Sequence, residues 1–196
     1  MSGVSAFDIV VCVVLLGGMA SGFTRGAIRQ AADLVALYVG LAVSAQYTPL
    51  VASALGPKIT FWPAYIVTAV VFYAILGTIS GILSLVAQTL LHSNTTRRRE
   101  LTDLSQIAGF GLGALGAAAL IGVSIPVIRY VTSASWASWD DVREIAVRSL
   151  DSSYLRPFFD RMGAWVLWLI QPLLPAGLPD VLRGRLLRAL LLGPFG

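Results

Sequence analysis

The chain has 196 residues, of which 57% are hydrophobic and 12% charged, and its mean hydropathy is +0.80. Soluble domains carry about 25% charged residues, so this composition excludes an ordinary water-soluble domain and indicates a chain folded in a lipid bilayer. The net charge of +4 does not indicate nucleic-acid binding, because the arginines lie at the ends of apolar segments and on the tail rather than in one solvated patch.

Four apolar runs predict an all-α integral membrane protein whose four transmembrane helices form two hairpins, at about 4–21, 27–47, 63–91 and 105–131. A spanning helix needs about 20 residues, and backbone groups in lipid must pair within their own segment, which forces helices. These runs define a four-helix domain over 1–131. No basic region precedes Asp8, so we expect the first run to stay attached rather than to be cleaved as a signal peptide.

Two clusters of arginine predict how the chain crosses the bilayer. Lysine and arginine concentrate on the cytoplasmic side of membrane proteins, and two crossings separate the clusters, so both can lie inside. We therefore expect a multi-pass protein of the bacterial inner membrane with both termini outside the cytoplasm. The arginines that carry this prediction are Arg25, Arg29, Arg97, Arg98 and Arg99.

The connections between the runs differ in length. The turn over 22–26 is short, so we expect the first two runs to form a tight antiparallel hairpin. The connection over 48–62 is longer and contains Pro49, Gly56 and Pro57, which usually break helices.

The tail over 132–196 is expected to lie outside the cytoplasm and to form interfacial helices. The apolar residues after Asp140 have helical spacing and predict a short amphipathic helix. The apolar stretch over 162–174 is shorter than a membrane-spanning helix, so we expect an interfacial or re-entrant segment. Asp180 begins a last, basic helix of the kind that lies on membrane surfaces.

Glycines recur at intervals of four in three of the runs. Small residues at this spacing let membrane helices approach closely, and we expect packing surfaces there. The spacing leaves open whether the surfaces join helices of one chain or of neighbouring chains. The glycines are Gly18, Gly22, Gly26, Gly77, Gly81, Gly109 and Gly113.

Asp33 is the acid that lies well inside a predicted span, and an intramembrane carboxylate is a functional candidate. Arg29 lies four residues earlier on the same helical face, so we expect a structural salt bridge between them. A proton or ion pathway usually needs several such groups in different helices, which makes transport the weaker interpretation.

We predict no catalytic residue, cofactor site or metal site. The run from Gly111 to Gly116 matches the dinucleotide fingerprint GxGxxG, but that motif must follow a strand and open a helix. His92 and the distant Cys12 cannot form a protein-only metal site. No set of polar catalytic groups gathers at one depth, so an enzyme is not expected.

Two stretches resemble the colicin V production family of bacterial inner-membrane proteins, over about residues 1–130. The first holds Phe7-Asp8-Ile9-Val10 and a Gly22-Phe23-Thr24-Arg25-Gly26 turn that runs into Ile28-Arg29-Gln30; the second holds Asp103, Gly109 and Gly113. The chain departs from the family where Leu104-Ser105 replaces a basic residue after that Asp. The resemblance implies a role in export or envelope upkeep without an established reaction, and it supplies no catalytic residues.

Three functions follow from these observations. The first is a non-enzymatic inner-membrane protein that acts in export or envelope maintenance through partners. The second is a structural accessory subunit of a large respiratory or photosynthetic membrane complex. The third is a small transporter or channel. The first two predict other membrane-protein subunits, or further copies of the chain, as partners within the lipid bilayer.

Overall fold

In a computed structural model, which describes residues 5–56, 59, 62–92, 102–134, 140–174 and 177–183, the described chain is helical and contains no strand. Four helices are long and apolar enough to cross a bilayer, which confirms the predicted all-α membrane fold. They are α1 (Ala6–Arg25), α2 (Ala27–Leu55), α3 (Ala64–His92) and α4 (Thr102–Thr132). The described tail adds α5 (Asp140–Asp151), α6 (Arg156–Ile170), a 3₁₀ turn (Gln171–Leu173) and α7 (Asp180–Arg183).

The long helices pair differently from the expected order. α1 packs mainly against α4, and α2 packs mainly against α3, whereas α1 and α2 make few contacts although only Gly26 separates them. The first two runs are joined by a short turn as predicted, but they do not pack closely against each other. A short turn forces two helices to start side by side, but the closest packing goes to the helices whose small residues face each other.

Backbone contact between α1 and α4 explains this pairing. A Cβ added to Gly22 would overlap the carbonyl of Gly109, and a Cβ on Gly113 would overlap the carbonyl of Gly18. A Cβ on Gly18 itself would lie 2.6 Å from the Cβ of Ala117. Only glycine fits at these positions without moving a helix axis.

The second helix is longer than expected, because α2 continues through Pro49 to Leu55. Proline cannot donate the helical hydrogen bond, which usually interrupts a helix. Here the break lies in the last two turns, and the buried hydroxyl of Thr48 donates to the carbonyl of Ser44 at 2.6 Å. The helix therefore ends at Leu55, after Pro49 but within the 48–62 connection, where helix-breaking residues were expected.

The tail helix α6 enters the bundle and leads back out on the same side. A Cβ on Gly122 of α4 would lie 2.6 Å from the backbone nitrogen of Gly163. Farther along α6, the hydroxyl of Tyr38 donates to the carbonyl of Leu169 at 2.9 Å. The chain then returns, since residues 177–180 share a small cavity with residues 45, 46 and 49, which lie two to three turns beyond Tyr38 on α2. The segment 162–174 therefore packs against α4 and α2, and the chain turns back after it.

A single proline prepares α4 for this contact. Pro126 has no N–H group, so the carbonyl of Gly122, four residues earlier, has no helical donor. That carbonyl oxygen is the nearest atom to a Cβ built on Gly163. The freed carbonyl therefore faces the backbone of α6 rather than lipid.

The start of α1 and the tail lie on the same face of the bundle. The hydroxyl of Ser5 donates to the carbonyl of Ser149 at 2.5 Å, and the N–H of Phe7 donates to the Ser149 hydroxyl at 2.8 Å. The chain therefore crosses an even number of times between Ser5 and α5. The turn at Gly26 lies against Ser105, near the start of α4, at the opposite end of the bundle. Residues Arg97, Arg98 and Arg99 lie outside the described residues.

We predict that replacing Gly22 by leucine lowers the free energy of unfolding by at least about 1–3 kcal/mol, because the new side chain must push α1 away from α4. The matched control is Gly17→Leu on the same helix, where a Cβ meets nothing within 4 Å. Thermal unfolding in detergent measures both. Equal melting temperatures for the two variants would contradict the close crossing.

Candidate functional site

A polar cluster links three helices near the Gly26 end of the bundle, and we call it the Asp33 cluster. The Arg25 side chain donates from Nη1 to Oδ2 of Asp33 at 2.8 Å. The Ser84 hydroxyl donates to Oδ1 of the same carboxylate, and Nε2 of Gln88 donates to the Ser84 hydroxyl at 3.0 Å. The four residues come from α1, α2 and α3, so the cluster ties together helices that otherwise belong to separate pairs.

The position of each group follows from the local chain. Asp33 lies six residues into α2, about 9 Å from its start at a rise of about 1.5 Å per residue. Arg25 is the last residue of α1, and its long side chain reaches that depth while staying 47% exposed. The Asp33 side chain is only 15% exposed, so the guanidinium supplies the charge that lets a carboxylate lie there.

The structure shows an ion pair to Asp33 that helical spacing did not predict. The sequence suggested Arg29, four residues before Asp33 on the same helix, whereas the structure brings Arg25 to the carboxylate from the preceding helix. The turn at Gly26 makes this possible by reversing the chain between the two residues. Helical spacing alone cannot anticipate a partner that lies across a turn.

The Gly26 turn is itself held by α4. Gly26 has φ of 77°, a conformation that favours glycine, and it ends α1 while it begins α2. The N–H of Ala27 donates to the hydroxyl of Ser105 at 3.1 Å. Ser105 belongs to the Leu104-Ser105 pair that this chain has where the resembled family carries a basic residue, and it caps an otherwise unpaired donor at the start of α2.

Gln30 lies one turn before Asp33 and faces α4. Its side chain is buried, with 8% of the residue exposed, and its Oε1 atom has no hydrogen-bond donor among the described residues. A Cβ on Gly116 would lie 3.9 Å from its Nε2 atom. The amide therefore packs beside the glycine face of α4, with one acceptor unused.

A second buried carboxylate lies at the opposite end of the bundle. Asp8 is 6% exposed and accepts from the N–H of Ser5 at 3.4 Å, which completes a capping box at the start of α1. The Ser153 hydroxyl also donates to Asp8, and the N–H of Leu155 does so at 3.5 Å. Asp8 therefore holds the turn between α5 and α6 against α1.

This arrangement binds charges rather than activating them. The Asp33 carboxylate accepts from an arginine and from the Ser84 hydroxyl, so its charge is compensated and it links three helices. In the described part of the chain, no group of three or more His, Cys, Asp or Glu side chains could hold a metal ion.

The glycines with fourfold spacing fall into two groups. A Cβ on Gly18, Gly22, Gly109 or Gly113 would meet a neighbouring helix, and one on Gly26 would lie 2.9 Å from the hydroxyl oxygen of Ser105. A Cβ on Gly77 or Gly81 of α3 would meet nothing within 4 Å among the described residues.

Several residues of the site were not predicted from the sequence. Ser84 and Gln88 are single polar residues in an apolar run, but they lie four apart and so share a helical face. Gly163 is an isolated glycine in the tail, and the proline that exposes its partner carbonyl lies in another helix.

A family model described as "Colicin V production protein" matches residues 7–164. The chain belongs to this family. The match extends beyond the first 130 residues, where the resemblance was expected to end, and takes in α5 and most of α6. No curated protein and no solved structure matches the chain.

The stretches that carry the family resemblance meet in space. The Gly22 to Gly26 turn contacts Gly109 and Ser105 of α4, directly after Asp103. The early Asp8 contacts the tail at Ser153, which lies inside the matched region. In this colicin V production family member, the Gly22 to Gly26 turn and the stretch after Asp103 therefore meet at one end of the α1–α4 pair, and Asp8 lies at the other end.

We predict that Asp33→Asn lowers the free energy of unfolding by about 1–3 kcal/mol, because it removes the charged acceptor of Arg25. Ser84→Ala should cost less on its own, and the double variant should cost less than the sum of the two. Glu144→Gln, on the exposed α5, is the matched control and should change little. Additive effects of the two substitutions would contradict the Asp33 cluster.

Proposed function

We propose that this protein is a non-enzymatic component of the bacterial inner membrane that acts in export or envelope maintenance by binding other membrane proteins. Membership of the colicin V production family is the observation that carries this proposal. The Asp33 cluster supports it, because the carboxylate bridges three helices and its charge is compensated by Arg25.

The outer face of α3 is the surface we propose for partner binding. Gly77 and Gly81 lie open on this helix, next to the exposed Ile82 and Leu85. Small residues four apart allow another helix to come within backbone contact. Gly22 of α1 and Gly109 of α4 make such a contact within the chain. The α3 pair has no such partner among the described residues.

We predict that Gly81→Leu weakens the association of the protein with its membrane partner or with a second copy, because the leucine blocks close approach to α3. The matched control is Gly111→Leu on α4, where a Cβ also meets nothing within 4 Å. Solubilisation in mild detergent and native size separation measure the association. Each variant is also expressed in cells that lack the native gene. Export, or the resistance of these cells to envelope stress, should fall with Gly81→Leu and persist with Gly111→Leu.

Three outcomes would contradict the proposal. Comigration of the wild-type protein with a respiratory or photosynthetic complex would make it an accessory subunit. Migration as a monomer, unchanged by Gly81→Leu, would remove the α3 surface. Loss of ion or substrate flux in a folded Asp33→Asn variant would make it a transporter.

The proposed orientation places the Gly26 turn in the cytoplasm and the tail outside. In a Cys12→Ser background, a cysteine at Ser152 in the exposed turn after α5 should react with an impermeant thiol reagent in intact cells. A cysteine at Ser93, beyond the described end of α3, should react only after the membrane is opened. The reverse labelling pattern would overturn the orientation.

A further inference from the structure

An apolar groove of about 420 Å³ runs between α2, α4 and α6, and we call it the α6 groove. Side chains between Leu34 and Leu41 of α2 form one wall, Leu115 and Ala119 of α4 form the second, and side chains over 162–169 of α6 form the third. The Tyr38 hydroxyl, which belongs to the first wall, already donates to the carbonyl of Leu169 at 2.9 Å. A cavity with apolar walls stays dry and takes apolar ligands, so the groove favours hydrocarbon over water.

The α6 groove lies in the middle of the membrane. The helix α1 has 20 residues, about 30 Å of helix, which matches the thickness of the hydrocarbon core, so its two ends mark the two faces of the core. The contact between Ala27 and Ser105 places the Gly26 face at the same level on α2 and α4. Counted from that level at about 1.5 Å per residue, Leu34 lies about 10 Å deep and Ala119 about 21 Å deep. Headgroups lie outside this region, so only the hydrocarbon part of a lipid can fill the groove.

The helix α6 closes the groove on the tail side. It crosses α4 just beyond Ala119, where a Cβ on Gly122 would lie 2.6 Å from the backbone nitrogen of Gly163. The groove therefore continues, toward the Gly26 end, the same surface of α2 and α4 on which α6 packs. The rim on that side is open, since Val35 is 63% exposed and Leu115 is 47% exposed. A hydrocarbon chain can therefore enter from the leaflet on the Gly26 side.

The size of the α6 groove suits one acyl chain and excludes a helix. An α-helix with its side chains is about 10–12 Å wide, so two turns of it displace about twice the volume of the groove or more. An acyl chain is unbranched and has the width of a single methylene group. Trp165 and Trp168 pack edge to face in the α6 wall, with their ring centroids 6.0 Å apart. This wall is ordered before a chain arrives, which reduces the entropic cost of binding.

We propose that the α6 groove binds one acyl chain of a membrane phospholipid from the leaflet on the Gly26 side. The headgroup stays at the membrane surface beside the start of α2, and the end of the chain lies under α6. One leaflet is half of the core, about 15 Å, and Ala119 lies deeper than that, so the groove favours long chains. No described residue of α3 lines the groove, so the site is independent of the proposed partner surface.

The test titrates the full-length protein in detergent with dioleoyl or didecanoyl phosphatidylglycerol and measures the first bound lipid by native mass spectrometry. We expect the dioleoyl lipid to bind about fivefold more tightly, because its additional methylene groups make many small dispersion contacts with the walls. Ala119→Leu should abolish this preference, because the leucine fills the end of the groove. The matched control is Ala108→Leu on the same helix, whose exposed side chain lies outside the groove and which should keep the preference.

A second variant covers the case in which Ala119→Leu does not fold. Leu115→Ala removes part of the wall without adding volume, so it should weaken binding of the dioleoyl lipid and leave binding of the didecanoyl lipid nearly unchanged. An equal chain-length preference in Ala119→Leu and Ala108→Leu, or equal binding of the two lipids by the wild type, would overturn the proposal. A protein that copurifies with the wild type and is lost from Ala119→Leu would assign the groove to a partner instead.

Discussion

The fold depends on the backbone contact between α1 and α4 at Gly22 and Gly109. Lipid tails are as apolar as leucine, so helices in a bilayer gain little from hiding apolar side chains and associate where their surfaces fit closely. Because α1 is committed to α4, it cannot pack along α2, and α2 pairs with α3 instead. The same contact sets the Gly26 turn against Ser105 and so determines where Arg25 lies.

Two carboxylates, the partly buried Asp33 and the buried Asp8, secure the ends of this arrangement. Asp33 joins α2 to α1 and α3 at one end, and Asp8 joins α1 to the tail at the other. The bonds from Asp33 to Arg25 and from Asp8 to Ser153 join segments between which the described glycines make no close contact. If α3 binds a partner as proposed, these bonds hold the bundle that presents it in one shape.

The sequence predicts the helices well and their neighbours poorly. Hydropathy located all four spans, because length and composition are properties of each segment alone. Glycine spacing marked Gly22 and Gly109 together with Gly77 and Gly81, but only the fold separates the pair used inside the chain from the pair left open. The contact from Arg25 to Asp33 was missed because it lies across a turn, and α2 was drawn too short because the helix continues past Pro49 to Leu55.

The tail helix α6 has a consequence for how the protein is made. It has 15 residues, about 22 Å of helix, against a hydrocarbon core of about 30 Å. This helix is too short to be released sideways into lipid as a full span, so we expect α6 to be seated from the face where α5 lies. Gly122 of α4 and Tyr38 of α2 contact α6, so we expect this step to follow the assembly of those two helices. A chain that stops before α6 would leave the Gly122 carbonyl without the α6 backbone against it.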